Sequence, residues 1–350
     1  MRVRRFSVRL SRPLRTARGR IDEREGFLVA VGDDDVDVTA GIGVGEATPL
    51  PGWTESLGAC ESAIESIGEG HLDPDEIDPD ETPAARHAVA LALDDAAAQG
   101  RGRSLGTRLA ERVGLSRAAE SVPVNATIGD ESRGETVAAA ERAVDDGYRC
   151  LKIKVGARSV DADVERLRAV REAVGPAVEL RADANGAWDR ARAGRALDRL
   201  EGIDLAYVEQ PLSGTDLAGT ARLRAEHSVP IALDESLATH PVEAVISADA
   251  ADAVVLKPMA LGGPDRAVAA AKRALAAGIE PVVTTTIDAV VARTAAVHVA
   301  GAIPDVTACG LATGEMMAED LAPDPCPVEE GRIAVPDGPG LAADAFENLL

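Results

Sequence analysis

Eight short apolar runs recur through residues 122–311 of this chain, their starts 23 to 28 residues apart. They are VPVNATIG (122–129), CLKIKV (150–155), VELRADA (178–184), LAYVEQP (205–211), PIALDES (230–236), AVVLKP (253–258), PVVTTTI (281–287) and DVTACGL (305–311). Runs of this length read as strands buried on both faces, and most gaps between them hold a helical pattern. In SVDADVERLRAVREAVG, Ser159 is an N-cap candidate, and Val160, Val164, Leu167, Val170 and Val174 fall on one helix face. Eight strand–helix units of this period predict an α/β chain with a (β/α)8 barrel over 119–320. A doubly wound open sheet is the alternative, but no glycine-rich phosphate fingerprint follows the first strand to support it.

Residues 1–118 have another rhythm. RVRRFSVRL and GFLVAVG read as strands, HLDPDEIDPDET as an acidic proline-containing loop, and PAARHAVALALDDAAAQG as a helix with Pro near its start and Gly at its end. This predicts a small α+β domain. The chain is 46% hydrophobic but only 2% aromatic, so its core is built from Ala, Val, Leu and Ile. A formal charge of −22 repels nucleic acid and anionic membrane surfaces. The acids are interleaved with periodic apolar segments, which points to a folded protein of a salt-rich cytoplasm rather than to disorder. Cys60, Cys150, Cys309 and Cys326 show no CxxC spacing and read as free thiols of a reducing compartment. MRVRRFSVRLSRPLR lacks the apolar segment of a signal peptide, and no apolar run reaches the roughly 18 residues of a membrane span.

Polar residues inside the apolar runs sit at their C-terminal ends: Lys152 and Lys154, Asp183, Glu209, Asp234, Lys257, and Thr284, Thr285 and Thr286. In a barrel these ends meet at one mouth, where active sites lie. Three carboxylates from consecutive strands, with strands about 4.8 Å apart, repel one another unless something positive sits between them. Oxygen-only ligands suit Mg²⁺ or Mn²⁺ rather than zinc. Of the 37 Lys plus Arg, only four are lysines, and three of those fall at this mouth; the fourth, Lys272, reads as a surface residue of a helix. Arginine, with a pKa above about 12, cannot act as a base, whereas a lysine near a dication and other lysines can lose its proton. The chemistry permitted is abstraction of a proton next to a carboxylate, with a metal stabilising the resulting enediolate.

At these residues the chain resembles the enolase superfamily, muconate lactonising subgroup. KIK, DANGAW, YVEQP, LDES and LKPMALGG stand in that family's order and spacing. The resemblance implies a barrel closed over by an N-terminal capping domain, here residues 1–118, with a tail, 321–350, packing back on the cap. GVGEATPLPGW is similar to the loop that closes over substrate. Sites of this superfamily pair a Lys or His base with Mg²⁺. By position, the resemblance makes Asp183, Glu209 and Asp234 metal ligands, Lys154 the general base, Lys257 the opposing lysine, and Asn185 and Glu235 partners of those residues. The mandelate racemase branch has a His at the end of strand seven, where this chain has threonine; His298 falls on the following helix. The glutamate that enolase proper carries on strand two is also absent.

VPVNATIGD, LKPMALGG and TTTIDA most resemble the o-succinylbenzoate synthase family of menaquinone biosynthesis, in which Thr284–Thr286 are replaced by a Ser-rich stretch. That implies a small-molecule carboxylate substrate and a dehydrating lyase. N-Succinylamino acid racemisation, or another 1,1-proton transfer, is the rival, and muconate cycloisomerisation is third. A non-catalytic binding barrel would need no lysines at the mouth. DVTACGLATG has only Asp305 where dipeptide epimerases carry an Asp-x-Asp motif. Specificity is expected in cap loops near 14–26 and 45–56, and oligomeric state, a homo-oligomer included, is left open.

The charge of −22 generates a prediction. Counterions relieve self-repulsion within a Debye length of about 3 Å at 1 M salt. The thermal midpoint, followed by circular dichroism, is expected to rise from low salt to molar KCl. A midpoint that stays flat over that range would refute the salt-adapted reading.

Overall fold

The computed structural model describes residues 1–16, 19–32, 42–67, 72–114 and 118–349. Ala17 and Arg18 of the expected 14–26 loop, His71 of the acidic loop and Leu350 of the tail lie outside the described residues. Strands β1 (Arg2–Thr16), β2 (Gly19–Val31) and β3 (Gly43–Ala47) form an antiparallel sheet in that order, and helices α1 (Leu57–Ser66), α2 (Pro83–Gln99) and α3 (Leu105–Arg112) follow. Residues 14–16 and 19–26 are paired strand rather than loop: Leu14 lies opposite Ile21 and Phe6 opposite Gly26. The alanine content of α2 has a packing reason. Gly43 and Gly45 of β3 lie so close to it that a side chain on either would collide with the Ala92 and Ala88 carbonyls.

The barrel elements are β4 (Ser121–Pro123), β5 (Ala126–Ile128), α4 (Arg133–Asp145), β6 (Cys150–Lys154), α5 (Val160–Val174), β7 (Glu179–Asp183), α6 (Arg190–Leu200), β8 (Tyr207–Glu209) and α7 (Leu217–Glu226). They continue with β9 (Ile231–Leu233), α8 (Val242–Ser247), β10 (Ala253–Leu256), α9 (Pro258–Leu261), α10 (Pro264–Ala276), β11 (Glu280–Val283) and α11 (Val290–Gly301). Ser159 does cap α5, accepting the Ala162 N–H, and Val164, Leu167 and Val170 are buried beneath it. Strands β5 to β11 form one curled parallel sheet of seven strands in chain order.

Two runs differ from expectation. The first splits: β5 joins the parallel sheet, while β4 pairs antiparallel with β13 (Arg332–Ala334), which pairs with β12 (Val328–Glu329). The eighth, 305–311, is no strand. Cys309 bridges to Val124 on one sheet edge and Gly310 to Thr284 on the other. Pro123 offers no N–H and Asp305 takes left-handed backbone (φ 49°), so no continuous ladder can form there. The Arg181 side chain reinforces this place from inside the barrel, donating to the Ala308 carbonyl at 2.6 Å and to the Thr307 hydroxyl at 2.9 Å.

Helix α11 ties the parts together. Its first free N–H groups are taken by carboxylates from distant segments: Glu46 of β3 accepts from Ala289 (2.8 Å) and Ala292 (2.9 Å), and Asp320 accepts from Val290 (2.9 Å). Near its other end, buried His298 accepts the Gly106 N–H of α3 at Nδ1 (3.0 Å), and its Nε2 lies 2.6 Å from the Leu341 carbonyl. The tail also reaches α2, where Asp95 accepts the Leu341 N–H at 2.7 Å. All four cysteines are buried and unpaired. Among the described residues no helix is long and apolar enough to cross a membrane.

Burial pushes the His298 imidazole down to about 4, against the Leu341 carbonyl that favours its charged form. The unfolded chain takes up a proton near 6.5 that the folded chain refuses. Stability from this residue is therefore complete above about pH 6.5 and lost as pH falls toward 4. His298→Ala is expected to lower the thermal midpoint, with about 1–3 kcal/mol for each buried group left unpaired, and to flatten the loss of stability between pH 6.5 and 4. Calorimetry across that range checks both.

Candidate active site

Side chains alternate along a strand, so every second residue of the parallel sheet points into the barrel. The pairing puts Lys152, Arg181 and Tyr207 in one interior layer, and Lys154, Asp183 and Glu209 in the layer above it. Asp234 and Lys257 each lie one residue past the ends of β9 and β10. The sheet thus gathers at its C-terminal edge the carboxylates and lysines picked out from the sequence.

Their contacts are close. Lys152 Nζ lies 2.9 Å from Glu209 and 3.2 Å from Asp183, bridging the two. Lys154 Nζ lies 2.6 Å from Asp183 and 2.8 Å from Asn185 Oδ1. Lys257 Nζ donates to both Asp234 oxygens at 2.7 Å. Asn185 in turn donates to Glu235 at 3.0 Å, and the other Glu235 oxygen has no partner among the described residues. Asn185 and Glu235 therefore stand directly behind Lys154.

The electrostatics of the three acids differ. Burial opposes the charge of Asp183, but Lys152, Lys154 and the Asn185 N–H outweigh it and hold its carboxyl well below the usual range. Burial and then the neighbouring Asp183 charge push Glu209 up to about 7, with only Lys152 and the more remote Lys154 against them. Burial likewise raises Asp234 despite Lys257. Glu209 and Asp234 are short of positive charge, and all three acids are hard oxygen donors, so the set suits a hard dication. Among the described residues no three His, Cys, Asp or Glu side chains converge as a closed cage, and the Lys152 ammonium group bridges two of the acids.

The threonines after β11 are turned to internal work. Thr284 donates to the Gly310 carbonyl (2.8 Å), Thr286 donates to Asp288, and Thr285 accepts the Ile287 N–H (3.2 Å) and lies 3.4 Å from the Thr313 hydroxyl.

Three residues escaped the sequence reading. Gln210, with left-handed backbone (φ 42°), accepts the Asp234 and Ser236 N–H groups at 3.0 Å and so fixes the turn that carries Asp234. Arg181 fills the barrel below Asp183 with its guanidinium 4.9 Å from the Tyr207 ring. The Trp53 ring lies 3.1 Å from Lys257 Nζ. A charged residue at an inward position of a strand was the available signal for Arg181; Gln210 lies inside YVEQP and Trp53 inside GVGEATPLPGW, so the resemblance marks both stretches without singling out either residue.

Comparison with known proteins bears on the family and the fold. Residues 135–348 match the family model described as enolase C-terminal domain-like. The chain is similar to o-succinylbenzoate synthase of Thermobifida fusca (strain YX), 41% identical over 214 residues that cover 59% of this chain and 64% of that protein, so the match spans less than two thirds of the relative. It is similar to L-Ala-D/L-Glu epimerase of Bacillus subtilis (strain 168), 30% identical over 354 residues, covering 96% of this chain and 94% of the other. Among solved structures it is similar to the dipeptide epimerase of Enterococcus faecalis V583 complexed with Mg and the dipeptide L-Leu-L-Tyr, with a TM-score of 0.85, 26% identity, and coverage of 97% and 98%. With more than half of its residues inside that family model, and a relative matched over nearly its whole length, the chain belongs to the enolase superfamily.

Proposed function

We propose that the chain is a metal-dependent enzyme removing the proton α to a carboxylate, and that its reaction is syn-dehydration of a succinyl-bearing cyclohexadiene carboxylate to o-succinylbenzoate and water, a step of menaquinone biosynthesis. One observation carries the reading: two lysines, Lys154 and Lys257, are held by carboxylates at opposite ends of a buried three-acid arc. The 41% identity to a protein named o-succinylbenzoate synthase supports the choice of substrate. Asp183, Glu209 and Asp234 would hold Mg²⁺ or Mn²⁺, which when bound supplies Lewis-acid stabilisation of the charge that builds on the substrate carboxylate.

The remaining work belongs to the chain. Lys154, as the free amine, takes the α-proton; the C–H electron pair moves into the carboxylate system. The same lysine then gives that proton to the departing hydroxyl, which leaves as water. Asn185, backed by Glu235, keeps the Lys154 amine aimed. Lys257 stays charged over the other face and offsets the developing negative charge. Lys152 holds Asp183 and Glu209 in place. Thr285 would meet substrate at the β11 edge, since Thr284 and Thr286 give their protons to Gly310 and Asp288.

A second reading, racemisation of N-succinylamino acids with both lysines as bases, is favoured by the near-full-length similarity to an epimerase.

Two outcomes are expected. Asp183→Ala, Glu209→Ala and Asp234→Ala each remove one anionic ligand and should abolish turnover; chelator should do the same to the wild type, with rescue by Mg²⁺ or Mn²⁺. Full activity in excess chelator would sink the metal assignment. Lys154→Ala should remove α-proton abstraction, a loss of about 10²–10⁴-fold or more. Lys257→Arg keeps the charge but cannot exchange protons, so it should retain some dehydration while ending racemisation. Both substrate types, run in deuterated water with deuterium followed at Cα, decide the matter. Efficient racemisation by wild type without dehydration would put the second reading first.

A further inference from the structure

The loop from Thr48 to Glu55 is bolted at both ends. At its start the buried Arg24 guanidinium donates to the Thr48 carbonyl (2.7 Å), the Pro49 carbonyl (3.3 Å) and, across from the cap, the Ile287 carbonyl (3.1 Å). At its end the Glu55 carboxylate accepts the Ala84 and Ala85 N–H groups at 3.1 and 2.8 Å, capping the first turn of α2. Between these anchors the chain locks itself: the Leu50 carbonyl accepts the Trp53 and Thr54 N–H groups at 2.9 Å, the Thr54 hydroxyl accepts the Leu50 N–H at 2.8 Å, and Gly52 supplies the left-handed step (φ 104°). The residue this turn delivers is Trp53, whose ring lies 3.1 Å from Lys257 Nζ, while the same ammonium group donates to both Asp234 oxygens.

A cation over the face of an indole is attracted by the ring quadrupole, and more strongly where water is excluded. The Lys257 side chain is only 9% exposed. We infer that Trp53 is a positioning and specificity-determining residue: it holds the Lys257 ammonium in register, and its ring is an aromatic wall that selects substrates with a diene-bearing carbocycle over N-acylated amino acids. The inference rests on the reading of Lys257 as the charge-holding lysine. Asp234 alone restrains Nζ through one carboxylate; adding the indole face, on a loop fixed to α2 and to the residue after Thr286, removes the remaining freedom. The diene of the substrate ring then meets an apolar aromatic surface, which an amide-bearing chain matches poorly.

The test has two arms. The first needs no turnover. The chain has two tryptophans, so Trp188→Phe leaves Trp53 as the sole indole, and Lys257→Met in that background is expected to shift its emission. Should Trp188→Phe not fold, the difference spectrum between wild type and Trp53→Phe, with and without Lys257→Met, gives the same reading. In the second arm, Trp53→Leu is expected to lower kcat for the cyclohexadiene substrate by about 3- to 30-fold, with a smaller change in KM. Trp53→Phe should restore most of it. The ratio of kcat/KM for that substrate over N-succinylamino acids should fall in Trp53→Leu. Emission indifferent to Lys257→Met overturns the positioning role, and an unchanged kcat/KM ratio overturns the selectivity. If wild type turns over neither substrate, the proposed function falls and the selectivity with it, while the emission arm still decides the contact.

Discussion

Charge carried inside a barrel is the constraint on which this structure depends. Moving an ammonium or a carboxylate out of water costs several kcal/mol per ion unless partners are close and well placed. The interior answers by giving every such ion a neighbour: Lys152 bridges two acids, Lys154 rests on Asp183 and Asn185, and Lys257 grips both oxygens of Asp234. The neighbours are themselves held, Asn185 by Glu235 and the Asp234 turn by Gln210. Even so, burial keeps the Glu209 and Asp234 carboxyls above their usual range despite those lysines.

A second dependency joins the small sheet to the barrel. The N-terminus of α11 exposes backbone donors that must be satisfied, and the chain meets them from two remote places, Glu46 in β3 and Asp320 beyond the barrel. Arg24 reinforces the same junction through Ile287, a β-branched residue in left-handed backbone (φ 63°). The start of the Thr48–Glu55 loop and the turn after β11 thereby share one anchor, the Arg24 guanidinium.

What the sequence made legible follows from periodicity and from rarity. Parallel strands buried on both faces leave apolar runs that polar residues interrupt only at the ends, which exposed Asp183, Glu209 and Asp234. A chain nearly devoid of lysine made Lys152, Lys154 and Lys257 stand out. The eighth run was misread because its composition, DVTACGL, satisfies the strand pattern while its backbone and its neighbour Pro123 do not. The resemblance places a cap loop at 14–26, but Leu14 pairs with Ile21, and Glu23 lies opposite Arg9 in the paired part of β2. Gln210 and Trp53 fall inside stretches that the resemblance marks, but their contacts, to Asp234 and to Lys257, join segments far apart in sequence.

The ring of strands therefore has a seam. Seven neighbours are joined by ladders, but the eighth place is held by two bridge pairs and by the reach of Arg181 to Thr307 and Ala308. Free energies of local opening follow the density of backbone bonds that must break together. The seam is thus expected to part first, with amide protons of residues near 305–311 exchanging with solvent ahead of those of β6 and β7. The ions stand away from that line, on or just past β6 to β10, strands that ladders join on both sides.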